Sequence, residues 1–481
     1  MPAENGAAEA AERAGLAFWM ARVVSECDRV TLDFAPDAVH DLRVALRRCR
    51  SIAEGIRSFD PCRSWRQMRK AGSSLFKSLG GLRDTQVMID WMNDPGAPQD
   101  ASSRILLEHL ARREGELKEQ ASQALAGFDR KKWEAWTARL PKRAAHIPVE
   151  GAAFRHLALE RWHEAHLLHR QALRNRSHVA FHRLRVELKK FRYTLENFVP
   201  SLHEQWASDL RELQDLLGEL HDLHVLLQTA VGIGAVQNSE SRTRWRSWTE
   251  AESSRRLQRY RQKMTGKESL WRVWRAALPQ GEALKAAALE RLETWASFRD
   301  PDQRRSRRVA QLALQLHDAL ASQDLLGSVS TGRSRAILQL AALLHEVGAN
   351  DRRKKSHKKS YRLVNELQPP LGWASEDFRL AALVVLYQRG ALPVPGLGEL
   401  QDLAEPEQQL AMILSGILRL AVRFAVSHRK QLPSVEISKS GQTLVIAATD
   451  YDEYSPLAQK LARDRHLLEV ACHLPVVIRG N

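Results

Sequence analysis

The 481-residue sequence has only four cysteines, Cys27, Cys49, Cys62 and Cys472, and no two of them stand in a CxxC spacing. That excludes a disulfide framework and a cysteine-based zinc site, and it fits reduced thiols in a cytosol. No secretory leader is expected either: MPAENGAAEAAERAG has no positive segment running into an apolar core. Long hydrophobic runs are absent. The most apolar one, LAMILSGILRLAVRFAV at 410–426, is shorter than a membrane span and carries Arg419 and Arg423, so it predicts a buried helix. Strand-type alternation is scarce through residues 1–280, which removes sheet-based folds from that stretch. Acidic residues are in deficit: 57 Asp and Glu face 73 Lys and Arg, a formal charge of +16, and residues 1–300 and 301–481 are both net positive. Such a balance favours a polyanionic partner, whether nucleic acid, an anionic membrane surface or a phosphate polymer.

What is present is helix after helix, so the expected fold is mainly α. Proline and glycine mark the breaks, at Pro36, Pro61, the PGAP of 95–98, Pro141, Pro148, Pro200 and Pro279. In APDAVHDLRV, Asp37 is the predicted N-cap of the first basic helix. The stretch HDLRVALRRCR (40–50) returns as HRLRVELKKFR (182–192), with His40, Arg43, Arg47, Arg48 and Arg50 matched by His182, Arg185, Lys189, Lys190 and Arg192. A second pair follows in the same order: SLGGLRDTQVMI (78–89) and LLGELHDLHVLL (216–227). Two motifs repeated in order predict a duplicated helical bundle, with halves at about 15–145 and 150–280.

At about 100° per residue, His40, Arg43, Arg47 and Arg50 fall within a sector of roughly 80°, while Leu42, Ala45, Leu46 and Cys49 take the opposite side. The second copy keeps the phase: His182, Arg185, Lys189 and Arg192 share one face, and Leu184, Leu188, Phe191 and Leu195 the other. Like charges at these spacings destabilise an isolated helix by a few tenths of a kcal/mol per pair, so the ladder is either a solvated face offset by carboxylates of neighbouring helices or a site for an anionic ligand. Each ladder is about 15 Å long at the helical rise, longer than a single phosphate. Pseudo-symmetry would set the two ladders across a shared groove. Asp84 and Asp222, in the second motif, read as partners that hold the ladder arginines upright.

VHDLRVALRRCRS and FHRLRVELKKFRYTLE, each followed by LGGLRD or LGELHD, resemble the conserved histidine α-helical domain, CHAD, over roughly residues 15–280. The resemblance implies two pseudo-symmetric four-helix bundles that bind inorganic polyphosphate through a basic central surface. Carried over by position, that surface comprises His40, Arg43, Arg47, Arg50, His182, Arg185, Lys189 and Arg192, with Arg48, Lys190, Arg83 and Tyr193 beside them.

From about residue 281 the pattern changes. GEALKAAALERLETWASF reads as a connecting helix, SVEISKSGQTLVIAATD as a hairpin turning at Ser440–Gly441, and HLLEVACHLPVVIRG as a further strand. With RRVAQLALQLHDAL, LLHEVG and SHKKSYRLV, residues 281–481 resemble the C-terminal HD-like domain of the exopolyphosphatase and guanosine pentaphosphatase family. That family's catalysis uses an actin-like domain with glycine-rich phosphate loops, which the sequence lacks. HD enzymes hold a metal that activates water. The matching positions here are Arg305, His345–Glu346 and Val422, so no metal ligand set, catalytic residue or cofactor is expected, and His345 reads as a buried, hydrogen-bonded histidine. The literal pair His317–Asp318 lies in another helix. The run Arg352, Arg353, Lys354, Lys355, His357, Lys358 and Lys359 reads as a second phosphate contact or a solvated loop.

The function expected is non-catalytic binding of inorganic polyphosphate in the cytoplasm, at polyphosphate granules. Alternatives are a metal-dependent phosphohydrolase and a nucleic-acid-binding protein. RTRWRSWTEAESSRRLQRYRQK (242–263) interleaves arginine with aromatics, but Trp245, Trp248, Leu257, Tyr260 and Met264 keep the spacing of a core face.

Overall fold

The structure, a computed structural model, describes residues 15–94, 96–236, 239–326, 331–349, 356–425, 434–449 and 451–480. They form two compact units that divide between Ala283 and Leu284. The fold is mainly α, with one small sheet near the C-terminus.

The first unit is built twice. Its first half runs α1 (Leu16–Asp33), α2 (Pro36–Arg57), α3 (Arg63–Met92), α4 (Ala101–Ala126) and α5 (Arg130–Ala144); its second runs α6 (Ala152–Asn175), α7 (His178–Phe198), α8 (Pro200–Gly232), α9 (Ser239–Met264) and α10 (Leu270–Ala277). Each half is thus four long helices and a shorter fifth. The basic stretches are α2 and α7, and the second motifs lie in α3 and α8. Between the halves, α2 packs on α7 and α3 on α8.

Both basic helices form because their apolar face is continuous. Leu42, Ala45, Leu46 and Cys49 are buried, as are Leu184, Leu188, Phe191 and Leu195. Each leucine contributes about 1.5–3 kcal/mol by leaving water, far more than the like-charge repulsion on the opposite face. Their starts differ. Ser177 caps α7, its hydroxyl accepting from the Ala180 amide at 3.2 Å. Asp37 does not cap α2. Pro36 occupies the first helical position behind Ala35, so Asp37 falls inside the first turn, where its charge favours the helix dipole instead. Pro200 opens α8 directly behind α7, and Pro61 separates α2 from α3. Pro141 is not a break: it sits inside α5 near its end. At the α2–α3 corner the buried Asp60 accepts from Trp65 Nε1 at 2.7 Å and from Arg143 Nε and Nη2 at 2.6 and 2.7 Å.

A close approach seals the halves. A Cβ on Gly55 would lie 2.3 Å from Phe198 Cε2, so only glycine admits that ring. Phe198 in turn stacks on Phe154 at 4.1 Å between centroids, and Phe154 meets Phe59 edge-on at 5.6 Å. Trp245, Tyr260 and Met264 of α9 are buried, with Trp248 packed beside them, so that helix uses its aromatics for the core.

The second unit starts inside α11 (Gly281–Ser297) and packs α12 (Gln303–Ala321), α13 (Thr331–Leu344), α14 (Ser356–Asn365), α15 (Ser375–Tyr387) and α16 (Glu405–Phe424) into one core. Helix α16 holds most of the 410–426 run and is buried almost throughout. Its Arg419 donates to the carbonyls of Tyr387, Gly390 and Ala391, closing the end of α15. Strands β1 (Val435–Ser440) and β2 (Thr443–Ala448) form the expected antiparallel hairpin through Gly441, whose φ is +60°. After α17 (Pro456–Asp464) and α18 (His466–Cys472), β3 (Val476–Gly480) adds parallel to β2, with Ile446 opposite Ile478.

Candidate functional site

A cavity of about 940 Å³ lies between the two halves of the first unit. Helices α2 and α3 supply one wall, α7 and α8 the other. Of the residues singled out in the sequence, His40, Arg43, Arg47, Arg48, Arg50, Arg83, Arg185, Lys189, Lys190, Arg192 and Tyr193 all line it. The two ladders therefore face one space. His182 does not line it. It packs over α8, its ring 4.7 Å from that of His221, in a group with His178 and His224. His221, at the position matching Arg83, reaches the wall in its place.

The cations divide into two sets. Arg48 is engaged by Glu196, Lys190 by Glu187 at 2.7 Å, and Arg50 by Glu54 at 3.5 Å; Arg192 donates to Gln214 at 2.7 Å. These are structural cross-links in part. Among the described residues, Arg43, Arg47, Arg83, Arg185 and Lys189 have no carboxylate within ion-pair distance. Nε of Arg47 and Nε of Arg185 are buried without any hydrogen-bond partner. Arg43 is steered by α3: Nη1 donates to the Phe76 carbonyl at 3.0 Å and the guanidinium lies 4.2 Å over the Phe76 ring. Of the motif glycines, Gly80 leaves room for Arg43, while Gly218 lies at ordinary contact distance from Arg185. A Cβ on Gly80 would stand 3.3 Å from Arg43 Nη1, and one on Gly218 would stand 3.8 Å from Arg185 Nε.

The wall also holds carboxylates that sequence reasoning did not assign to it: Glu54, Asp215 and Glu219 join Asp84 and Asp222. They belong to the same helix faces as the motifs, one turn before or after, so the helical period could have found them. Asp84 and Asp222 do not pair with the ladder arginines. Among the described residues neither makes an ion pair. Both open onto the cavity, and enclosure by the two halves pushes their carboxyls up, against the pull of Arg185 and Lys189 on both and of Arg43 on Asp84.

Enclosure acts on the cations in the opposite sense. Burial, with Arg185 and Arg47 nearby, pushes the Lys189 ammonium down to about 7. Burial pushes Arg43 down to about 10. His40 is lowered by burial and by Arg83 and Arg47; His178 and His221 fall to about 4. With nine Lys and Arg against five carboxylates on its wall, the cavity keeps an excess of positive charge. An anion entering it would meet donors whose desolvation the fold has already imposed.

In the second unit His345 is fully buried, with Nδ1 2.7 Å from the Ala342 carbonyl, and burial pushes it down to about 4. Glu346 is held by Arg389 at 2.9 Å and Arg305 at 3.4 Å. Arg305 thus brings a guanidinium to the carboxylate where HD enzymes have a first metal-binding histidine, and Val422 is buried. His317 bonds Ser334 at 2.8 Å, and Asp318 pairs with Arg335 at 3.0 Å. Of the basic run, Arg352, Arg353, Lys354 and Lys355 lie outside the described residues. Lys358 and Lys359 are exposed on α14, while His357 is buried against Gly390.

A family model described as CHAD domain matches residues 16–231, and one described as Ppx/GppA phosphatase, domain III, matches residues 291–470. Among solved structures, the crystal structure of the CHAD domain from the plant Ricinus communis is 21% identical, covering 56% of this chain and 89% of that one, with a TM-score of 0.38. The chain carries a CHAD domain followed by a Ppx/GppA-like domain III.

Proposed function

We propose that the chain binds inorganic polyphosphate in the cavity between its two helical halves and does not cleave it. The supporting observation is the set of Arg43, Arg47, Arg185 and Lys189: four cations at matching positions of the repeat, turned to one space, without a carboxylate partner among the described residues. Holding such charges close together out of bulk water is costly unless an anion completes them. A linear polyanion can reach all four at once, which a single phosphate cannot. The reading sets the chain beside polyphosphate in the cytoplasm, at its granules, with Lys358 and Lys359 of the second unit as a lesser contact. Hydrolysis is disfavoured because Glu346 is already engaged by Arg305 and Arg389.

The test is a parallel titration with polyphosphate, single-stranded DNA and RNA at two salt concentrations, with and without divalent metal, while free phosphate is assayed. Polyphosphate should bind most tightly, weaken steeply with salt as counterion release requires, and remain intact. Combining Arg43→Glu with Arg185→Glu should cost about 3 kcal/mol or more, a hundredfold in affinity, with the fold unchanged. Metal-dependent phosphate release would make the chain an enzyme, and an unaffected double variant would move the ligand elsewhere.

A further inference from the structure

Besides the imidazoles of His40 and His221, the described wall of the cavity carries Phe76 and Tyr193, and each of these two already has arginine over its ring. Arg43 lies 4.2 Å over Phe76; Arg47 and Arg48 lie 5.7 and 5.8 Å from the centre of Tyr193. Phe76 serves an arginine of its own half. Tyr193 belongs to α7 and serves two arginines of α2, across the seam. The rings are not equivalent in the repeat: Ser51 stands where Tyr193 would recur, and Gln214 where Phe76 would. Arg48 has further support from Glu196 and from Trp19, 5.1 Å away. Arg47 has none of these, and its buried Nε lacks a partner, so Tyr193 is the contact that orients it.

We propose that Tyr193, with Phe76, determines which polyanion the cavity accepts, by holding arginine guanidinium groups against the wall and by denying its own ring to nucleic-acid bases. This deepens the polyphosphate reading and rests on it. A guanidinium stacked on a ring engages its faces only; its N–H donors lie in the plane and stay directed at oxygen atoms beside it. A flat, oriented fork suits a run of phosphates. Single-stranded nucleic acids draw much of their affinity from bases stacked on open aromatic faces. Here Phe76 and Tyr193 already carry guanidinium groups, so a base stacking in their place would have to displace an arginine and lose its phosphate contact.

The experiment compares polyphosphate with oligo(dT) of equal charge, at one salt concentration, by competition anisotropy on the full chain. Tyr193→Leu should bind polyphosphate about five- to tenfold more weakly, while Tyr193→Phe, which keeps the ring, stays within about twofold of the original. Oligo(dT) binding should fall less than polyphosphate binding in the Leu variant. Phe76→Leu repeats the test from the other half should Tyr193→Leu fail to fold, as judged by circular dichroism and melting. The proposal is overturned if a folded Tyr193→Leu binds polyphosphate like the original chain, or if oligo(dT) loses more, since the ring would then be open to bases. Failure of the underlying reading looks different: the Arg43→Glu, Arg185→Glu chain would bind polyphosphate undiminished, whatever occupies position 193.

Discussion

Lys189 lies in the cavity among the positive charges of Arg185, Arg47 and Arg43, with Asp222 opposing them. Its ammonium is pushed down to about 7, whereas in an unfolded chain a lysine titrates near 10.4. Between those values the unfolded chain holds a proton that the folded chain has released, so this residue makes stability rise with pH across that window. Binding has the opposite sign. A polyanion favours the charged form, so Lys189 takes up a proton as the ligand arrives, and affinity falls as pH rises through 7. For one such group the change between pH 6 and 8 is about tenfold. Titrations at pH 6, 7 and 8 should show that decline, and Lys189→Arg, charged throughout, should flatten it. An equal slope in the arginine variant would assign the proton to another group, with His40 the next to examine.

At the scale of the helix, the glycines in LGGLRD and LGELHD lie mid-helix, where glycine is less favourable than alanine by about 0.5–1 kcal/mol. Gly80 has a reason, since an added Cβ would press on Arg43, itself clamped by the Phe76 ring and carbonyl. Gly218→Ala, with 3.8 Å to Arg185, has room. Both alanine variants should melt at equal or higher temperature, yet only Gly80→Ala should lose affinity for polyphosphate, by about two- to fivefold for a displaced guanidinium. Gly55→Ala should behave differently from either. Phe198 is pinned on Phe154, so the new methyl group must strain the seam, and the chain should lose about 1–3 kcal/mol in denaturant unfolding. These elements also show what could be read in advance. A period of 3.6 put the charged and apolar faces of α2 and α7 in their true places, and the repeat gave the two walls. Period alone does not say what a neighbouring helix places opposite. Hence the period makes Asp84 and Asp222 partners of the arginines, passes over Phe76, and gives His182 the cavity position that His221 takes. Asp37 was misplaced for a local reason: the Ala35–Pro36 step opens the helix before the acid can cap it.

Across the whole molecule, duplication has given two walls of similar charge but different chemistry. Arg83 of the first half is matched by His221 in the second, and Phe76 by Gln214, so the first wall has a fixed cation where the second has an imidazole held neutral by burial. All of the cavity's lining comes from residues 40–225, within the first unit. The second unit has its own core and its own part-buried ion pair, Arg389 with Glu346. If the cavity is the main site, a chain ending at Ala283 should bind polyphosphate within about threefold of the full chain, and with nearly the same dependence on salt. Each cation removed from contact lowers the slope of log affinity against log salt by a little under one, to the extent that polyphosphate follows nucleic acid. A slope that drops by two or more on truncation would instead give the second unit, through Lys358, Lys359 and the run before them, a full share of the ligand. Charge alone does not decide between these outcomes, since both units are basic. What favours the first is geometry: the first unit turns its cations toward one space, whereas in the second Arg305, Arg333, Arg389 and Arg423 are all paired with carboxylates.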